Sequence, residues 1–362
     1  MFADRRTRLM ERIAAQEATA VMINSPSNLY YYTGFTGGEA FFIQSVPTGE
    51  GYVITDSRYY EQVEKECPDL VLLPLEQQSY TEVLRELFGR METEWKGRLV
   101  AIEDSLSLSL YLKLCENCPE YEFKLCSEQI NAGRMVKDQA ELEKLERAEA
   151  IGDAAFSHIV NLIKPGISEA EIALELEFFM KKQGASGLSF DTIVAGGPNS
   201  SMPHAQVTER RIQQGEFVTM DFGCVYQGYC SDMTRTVAVG EPSEEMRQVY
   251  QIVLEANRRA MEQIREGQTC SFIDSLARDY IREQGYGDYF GHGLGHGVGL
   301  DIHEEPRFSP KCDVVTKEHM AITVEPGIYL PGKFGVRIED LVVVTKDGYE
   351  TLSHSAKELM IL

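Results

Sequence analysis

The sequence is poor in basic residues and contains no long run of apolar residues. It has 35 Lys and Arg against 57 Asp and Glu in 362 residues, a net charge of −22. Binding to nucleic acid or to anionic membranes depends on clustered Lys and Arg, so this balance disfavours both partners. No segment approaches the roughly 18–20 apolar residues of a membrane span, and residues 1–16 lack an apolar stretch of signal-peptide length. We therefore expect a cytoplasmic protein.

The eight cysteines lack the repeated spacing of a disulfide framework, which favours reduced thiols. Cys115 and Cys118 form a Cys-x-x-Cys pair with Cys126 nearby, so a zinc or redox pair is an alternative. A structural zinc normally needs four ligands and a second knuckle, and the sequence shows none. These thiols are therefore not our choice for the functional site.

The length of the chain predicts two domains with buried cores. In its first third, short apolar runs alternate with helix-favouring segments, which indicates a small α/β domain. A charged, helix-favouring segment at 137–144 follows Gly133, so we divide the chain into residues 1–130 and 131–362. The predicted long helices lie at about 138–163, 168–184, 243–266 and 270–285. The fold class we expect is α+β.

Two pairs of acidic residues lie on either side of the turns of predicted hairpins in the second domain. Residues that face each other in an antiparallel hairpin have numbers with a constant sum. The midpoint between Asp221 and Asp232 falls between Tyr226 and Gln227, beside Gly228, and a tight turn is predicted there. We therefore expect the two carboxylates to face each other.

The second acidic pair is Glu325 and Glu339, and the midpoint between them is Gly332. The segment 330–333 reads Leu-Pro-Gly-Lys, in which Pro presets its φ angle and Gly tolerates a positive one. Facing side chains in a ladder have Cβ atoms about 4.5–5.5 Å apart, and like charges there are destabilising. At about 4 Å and an effective dielectric constant of about 20, two such charges repel by roughly 4 kcal/mol. The pairs must therefore bind protons or cations.

The alternative is that these acids are solvated surface groups, which are common in so acidic a chain. Their flanking segments are apolar, however, and acids inside buried strands are rarely without a partner. Four of the seven histidines, His204, His292, His296 and His303, lie around the same strands. A site rich in oxygen ligands with one imidazole suits Mn(II), with Co(II), Zn(II) or Fe(II) as alternatives. Four carboxylates and one imidazole suffice for two ions about 3.5–4 Å apart.

The segment 291–299 is the densest glycine stretch in the chain. It is similar to a phosphate-binding loop, but no Lys-Ser/Thr follows it and no strand-GxGxxG-helix unit contains it. We interpret its glycines as positions where the backbone approaches other groups closely, so that two imidazoles can point into one cavity.

The sequence resembles the pita-bread metallopeptidases, which include aminopeptidase P, prolidase and methionine aminopeptidase. The segments that carry this resemblance are DFG at 221–223, CSDMTRT at 230–236, GHGVGLDIHEEP at 295–306, VEPGIYLPG at 324–332 and GVRIED at 335–340. NLYYYTGF at 28–35 and TDSRYYEQ at 55–62 extend it to the N-terminal third, as in the Xaa-Pro branch. The resemblance implies a creatinase/prolidase-like first domain and a second domain with two related α/β halves around a curved antiparallel sheet.

The resemblance also implies roles for individual residues. The metal ligands would be Asp221, Asp232, His296, Glu325 and Glu339. Asp232 and Glu339 would bridge two ions, whereas Asp221 and His296 would each serve a different one. Glu325 would also handle the proton of the nucleophilic water, and His204 and His303 would stabilise the oxyanion or hold the substrate. His292 matches a further histidine of the family, and Arg337 lies on the strand face of Glu339, where a purely structural ion pair is the alternative.

The predicted function is metal-dependent hydrolysis of Xaa-Pro bonds at the N-terminus of short peptides, by an aminopeptidase or a dipeptidase. Removal of N-terminal Met, as by methionine aminopeptidase, is a second enzymatic possibility. A metal-free peptide- or protein-binding module is a third, although the complete ligand set argues against it. By resemblance, the first domain would shape the substrate entrance and contribute to a homodimer.

Overall fold

The computed structural model describes residues 1–95 and 98–362. Within them the chain divides into two compact units, Met1–Arg134 and Met135–Leu362. Both units combine helices with sheets, which confirms the predicted α+β class. None of the helices in the described residues has the length and apolar character that a membrane span requires.

The first unit is built on a six-stranded mixed sheet. Its strands are β1 (Ala20–Ile23), β2 (Phe41–Ser45), β3 (Gly51–Thr55), β4 (Val71–Pro74), β5 (Leu99–Ile102) and β6 (Glu122–Leu125). Its helices are α1 (Phe2–Ala14), α2 (Pro26–Thr33), α3 (Tyr60–Glu66), α4 (Tyr80–Trp95), α5 (Leu108–Asn117) and α6 (Ser127–Asn131). The strand order is β4-β3-β2-β1-β5-β6, with antiparallel pairing of β1 and β3 to β2 and parallel pairing elsewhere. The apolar runs of the sequence thus form β1, β3 and β4.

The second unit consists of two successive helix pairs, each followed by antiparallel strands. The first half contains α7 (Gln139–Ile159), α8 (Glu169–Lys182), β7 (Gly187–Leu188), β8 (Ile193–Gly196), β9 (Glu216–Phe222), β10 (Cys224–Tyr226), β11 (Tyr229–Cys230) and β12 (Met233–Val239). The second half contains α9 (Glu244–Met261), α10 (Cys270–Glu283), β13 (Gly295–Gly297), β14 (Glu304–Phe308), β15 (Ala321–Val324), β16 (Gly327–Leu330), β17 (Phe334–Arg337), β18 (Asp340–Val344) and β19 (Tyr349–Thr351). The four predicted long helices are confirmed.

These helices begin where the sequence supplies a capping side chain. Asp138 and Ser168 each form a capping box with the Glu three residues later, at the starts of α7 and α8. Ser243 and Thr269 accept backbone N–H groups at the starts of α9 and α10. Such a cap contributes about 0.5–2 kcal/mol, so the start of each helix is determined locally.

Each helix pair of the second unit packs on its own sheet. The apolar faces of α7 and α8 lie against the sheet β8-β9-β12. Those of α9 and α10 lie against β15 to β18, where β15 and β18 belong to the sheet β14-β13-β15-β18-β19. Strand β17 also contacts β9 and β12, so the acid-bearing segments of both halves meet in the middle of the unit.

The predicted register of the first hairpin is wrong, because the turn is displaced by one residue. Gln227 and Gly228 have φ angles of 48° and 88°, and they form a two-residue turn between the paired Tyr226 and Tyr229. Positive φ at both central residues defines the type I′ turn that suits a tight hairpin. Because the turn lies one residue later than predicted, Asp221 faces Thr234 and not Asp232.

The predicted register of the second hairpin is confirmed. Leu330 pairs with Phe334 around Gly332, which has a φ angle of 72°. Gly327 pairs with Arg337 on one side of the acidic pair, and Val324 pairs with Asp340 on the other. Glu325 and Glu339 therefore lie in the short segments without strand pairing that separate two ladders of the same register.

Candidate metal centre

The four acidic residues stand in or beside breaks of the strand ladders. Asp221 lies in β9, whereas Asp232, Glu325 and Glu339 each lie one residue outside a strand. At these breaks the backbone N–H groups turn away from the ladder to other partners. The N–H of Glu325 donates to the carbonyl of Leu294, and that of Glu339 to the carbonyl of Thr234. The bond from Glu339 to Thr234 thus joins the two halves of the unit beside the acids.

The structure brings the acids and one histidine together. One ligand atom from each of Asp232, His296 and Glu339 lies within 4.8 Å of the others. Nε2 of His296 is 3.5 Å from Oδ2 of Asp232 and 3.4 Å from Oε1 of Glu325. The Thr323 hydroxyl supports this group, since it accepts the N–H of His296 at 3.0 Å and donates to Glu325 at 3.4 Å.

The protonation states of these groups are strongly perturbed without a cation. Burial, and next the charge of Glu339, raises the pKa of Asp232 and of Glu325 well above the ordinary range. Burial and the charge of Asp221 raise the pKa of Glu339 to about 8. Burial also lowers the pKa of His296 to about 3, which keeps its imidazole neutral. Clustered buried carboxylates beside a neutral imidazole are the donor set that divalent ions prefer.

Asp221 adds a buried oxygen without a partner. Its Oδ2 accepts a hydrogen bond of 2.5 Å from Nη2 of Arg337, whereas its Oδ1 is buried and has no hydrogen-bond partner among the described residues. A buried carboxylate oxygen without a partner costs free energy unless a ligand binds it. The residues therefore fit divalent cations at this site.

Arg337 belongs to a chain of hydrogen bonds that surrounds the cluster. Its Nε donates to the Thr234 hydroxyl at 3.0 Å, and that hydroxyl donates to Oε2 of Glu339 at 2.6 Å. Its Nη1 donates to the Tyr329 hydroxyl at 3.0 Å, which lies 2.9 Å from Nε2 of His292. Arg337 thus contacts Asp221 directly and Glu339 through Thr234, so its interactions extend beyond a simple ion pair.

Gly295 and Gly297 allow the close backbone approach that was predicted for the glycines of segment 291–299. A Cβ on Gly295 would lie 1.9 Å from the carbonyl oxygen of Thr323, and one on Gly297 would lie 2.6 Å from that of Glu305. Neither distance is possible for a real side chain, so only glycine allows β13 to lie between β14 and β15. His296 lies between these two glycines and is held over the cluster.

All nine predicted site residues line one cavity of about 1110 Å³. They are His204, Asp221, Asp232, His292, His296, His303, Glu325, Arg337 and Glu339. The ring of His303 lies 4.4 Å from that of His296, centroid to centroid, and burial lowers the pKa of His303. His204 is exposed at the cavity wall. The cavity therefore presents imidazoles together with the carboxylate cluster.

Sequence reasoning missed three residues of this site. Tyr329 and Thr234 lie inside the segments that carry the family resemblance, but only the tertiary structure shows that their hydroxyls join Arg337 to His292 and Glu339. Arg307 lines the cavity, and its charge contributes to the lowered pKa of both His296 and His303. A cation two residues after the strand-forming Glu305 carried no distinguishing signal.

The cysteines take no part in the cluster. All eight are free thiols, and Cys118 is buried. Burial raises the pKa of the Cys118 thiol to about 11, which disfavours the thiolate that metal binding and redox chemistry require.

The fold and the site define a metallopeptidase, and comparison with known proteins identifies the family. The model of metallopeptidase family M24 matches residues 143–346, and that of the creatinase/prolidase N-terminal domain matches residues 5–136. The chain belongs to metallopeptidase family M24. This confirms the predicted family and the prediction of a metallopeptidase.

Similar proteins share nearly the full length of the chain. The Xaa-Pro dipeptidase of Pyrococcus furiosus is 39% identical over 362 residues, with 99% of each chain covered. The structure of an Xaa-Pro dipeptidase from Bacillus anthracis is 41% identical, has a TM-score of 0.95 and is covered completely, as is this chain. That of an X-Pro aminopeptidase from Thermotoga maritima is 37% identical, with a TM-score of 0.89 and 99% of each chain covered.

Proposed function

We propose that this protein is a dinuclear metal-dependent exopeptidase that hydrolyses Xaa-Pro bonds at the N-terminus of short peptides. The observation that carries the proposal is the buried cluster of four carboxylates and one neutral imidazole on the wall of a large cavity. The names of the similar proteins supply the substrate class, since they are Xaa-Pro dipeptidases and an X-Pro aminopeptidase.

Two divalent ions would be held by Asp221, Asp232, His296, Glu325 and Glu339. Two observations support this assignment: Oδ1 of Asp221 has no hydrogen-bond partner in the described part of the chain, and the pKa values of Asp232, Glu325 and Glu339 are raised. When bound, such ions lower the pKa of water and polarise a carbonyl group. Mn(II) is our choice of metal, because four of the five ligands are carboxylates.

The remaining polar residues would handle the proton and the substrate. Glu325 lies at the cavity wall beside His296, so its carboxylate would accept the proton of the attacking water and pass it to the leaving nitrogen. His303 and His204 face the cavity and would hold the carbonyl oxygen as charge develops on it. Arg337, braced by Tyr329 and His292, would keep Asp221 in position.

A cavity of this kind suits a peptide bond to proline. The nitrogen of that bond carries no N–H and is part of a ring, so a protease that grips an extended backbone loses a hydrogen bond there. A cavity that holds the free amino end beside a carboxylate cluster does not depend on that hydrogen bond.

Among Xaa-Pro substrates, Arg307 favours dipeptides. Its side chain lines the cavity on the side of His303 and His296, and its Nε lies 3.8 Å from Oε1 of Glu305, longer than a strong hydrogen-bonded ion pair. A dipeptide places its terminal carboxylate one residue beyond the scissile bond, where a guanidinium group can bind it. We propose Xaa-Pro dipeptidase activity on this ground.

Hydrolysis of three peptides by the EDTA-treated protein, with and without Mn(II), tests the proposal. Cleavage of Ala-Pro but not Ala-Pro-Ala, only after addition of metal, is the expected result. Cleavage of both proline peptides would make the enzyme an aminopeptidase. Selective release of Met from Met-Ala-Ala would replace the proposed substrate class, and no turnover with bound metal would favour a binding role.

We also propose that the enzyme acts in the cytoplasm as a homodimer. Its free cysteines support a reducing compartment. The dimer is supported by exposed apolar side chains of the first unit, including Leu108, Leu112 and Leu125. Sedimentation velocity at micromolar concentration would show a dimer of the full-length chain, and a monomer there would contradict this proposal.

A further inference from the structure

Glu149 is a buried carboxylate that the proposed chemistry does not use. It lies on α7 with no exposed surface, and it is not one of the cavity-lining side chains in residues 1–95 and 98–362. Its Oε1 accepts the backbone N–H of Asp232 at 2.8 Å, and its Oε2 accepts the Ser353 hydroxyl at 3.3 Å. A carboxylate is costly to bury, so its presence here calls for a specific role.

The two oxygens of Glu149 lead to Asp232 and Glu339, two of the proposed metal ligands. Asp232 is reached directly through its N–H group. On the other side, the Ser353 hydroxyl accepts the N–H of Leu341 at 2.9 Å, two residues after Glu339. The ring is closed by the N–H of Glu339, which donates to the carbonyl of Thr234 at 3.1 Å.

We infer that Glu149 is a positioning residue that sets the distance between Asp232 and Glu339, and thereby the binding of the second metal ion. This inference rests on the metal centre proposed above. Both acids stand at ladder breaks, where regular strand pairing does not determine their positions. The hydrogen-bonded ring through Glu149 and Ser353 replaces that pairing. Partners of this kind, outside the ligands themselves, change metal affinity by about 10–100-fold when they are mutated.

The test compares Glu149→Ala with Glu149→Gln in the full-length protein. Glutamine keeps an oxygen for the Asp232 N–H and an amide for Ser353, whereas alanine breaks both links. Asp153→Ala is the matched control, because Asp153 lies one turn further along α7 and binds His354 and Ser355 but no proposed ligand. Calorimetric titration with Mn(II) gives the number and affinity of bound ions, and the exchange-coupled EPR signal reports the pair.

In Glu149→Ala we expect the second ion to bind about 10–100-fold more weakly and the coupled EPR signal to be lost at stoichiometric metal. Glu149→Gln and Asp153→Ala should keep two ions and the coupled signal, although Asp153→Ala should unfold at a lower temperature. If Glu149→Ala does not fold, Ser353→Ala against Ser353→Thr carries the same comparison, because threonine keeps the hydroxyl.

Unchanged binding of two ions by Glu149→Ala would overturn the inference and leave the metal centre intact. Equal losses in Glu149→Gln and Glu149→Ala would overturn it too, because charge and not hydrogen bonding would then be responsible. An equal loss in Asp153→Ala would attribute the effect to general loosening of α7. Wild-type protein that binds fewer than two ions would refute the proposed metal centre itself and this inference with it.

Discussion

Arg337 donates a hydrogen bond of 2.5 Å to one carboxylate oxygen of Asp221, while the other oxygen is buried with no partner among the described residues. The guanidinium group thus orients Asp221 and leaves Oδ1 available for a cation. The remaining donors of Arg337 are directed to Thr234, Tyr329 and the carbonyl of Pro203.

Asp232→Asn or Glu339→Gln should abolish turnover and weaken metal loading. Each substitution keeps the size of the side chain but removes the negative charge of a proposed metal ligand. Metal ions supply several kcal/mol of transition-state stabilisation, and about 1.4 kcal/mol corresponds to tenfold in rate, so kcat should fall by roughly a thousandfold or more. Peptidase assays and metal analysis would measure both effects. Asp347→Asn, at an exposed position, is a control, and full activity in either Asp232→Asn or Glu339→Gln would refute the dinuclear assignment.

Tyr329→Phe should reduce kcat/KM for Ala-Pro by about tenfold and keep both metal ions. The change removes the hydroxyl between His292 and Arg337, but Arg337 keeps its bonds to Asp221 and Thr234. A buried donor without a partner costs about 1–3 kcal/mol in the free energy of unfolding, which urea denaturation would detect. Tyr289→Phe is the control, because Tyr289 is a residue that is 39% exposed. Wild-type kinetics in Tyr329→Phe would show that this hydroxyl has no part in catalysis.

Arg307→Met should raise KM for Ala-Pro by roughly 10–100-fold, because a hydrogen bond to a charged group contributes about 1.5–3 kcal/mol. Methionine keeps the apolar stem of the side chain and removes the guanidinium group. The amide Ala-Pro-NH₂ lacks the terminal carboxylate, so its KM should change little between wild type and variant. Steady-state kinetics with both peptides would decide the role. Equal increases in KM for both would contradict binding of the carboxylate by Arg307.

Removal of metal should make the stability of the protein fall as pH rises. Burial raises the pKa of Glu339 from 4.5 to about 8, so between these values the folded, metal-free protein holds a proton that the unfolded chain has released. The free energy of unfolding then decreases with pH across this interval, and the contribution is complete only below the lower value. Bound metal takes the place of the proton.

Calorimetry from about pH 5 to about pH 8, the interval set by this shift, would show whether the difference in Tm between Mn(II)-loaded and EDTA-treated protein widens. The metal-free Glu339→Gln variant should show a shallower decline than the metal-free wild type, because glutamine does not titrate. A constant difference in Tm across the range would contradict protonation of the buried cluster.

Much of the site could be predicted because the required chemistry is local in sequence. The constant sum of residue numbers in a hairpin placed Glu325 opposite Glu339, because Pro331 and Gly332 permit essentially one turn there. It failed for Asp221 and Asp232, because Tyr226, Gln227 and Gly228 allow two turn positions. Positive φ at Gln227 is uncommon for a residue with a side chain and was not apparent from residue type.

The amino-acid sequence by itself determined the family, the α+β class, the starts of the long helices and the residue types of the metal centre. These features depend on residue type, capping and periodicity over short distances. Only the tertiary structure decided that Tyr329 joins His292 to Arg337, that Arg307 lines the cavity and that Glu149 connects Asp232 to Ser353. Those contacts join residues as many as 204 positions apart. They arise where helices and the segments between strand ladders pack together, and no local pattern of residues encodes that packing.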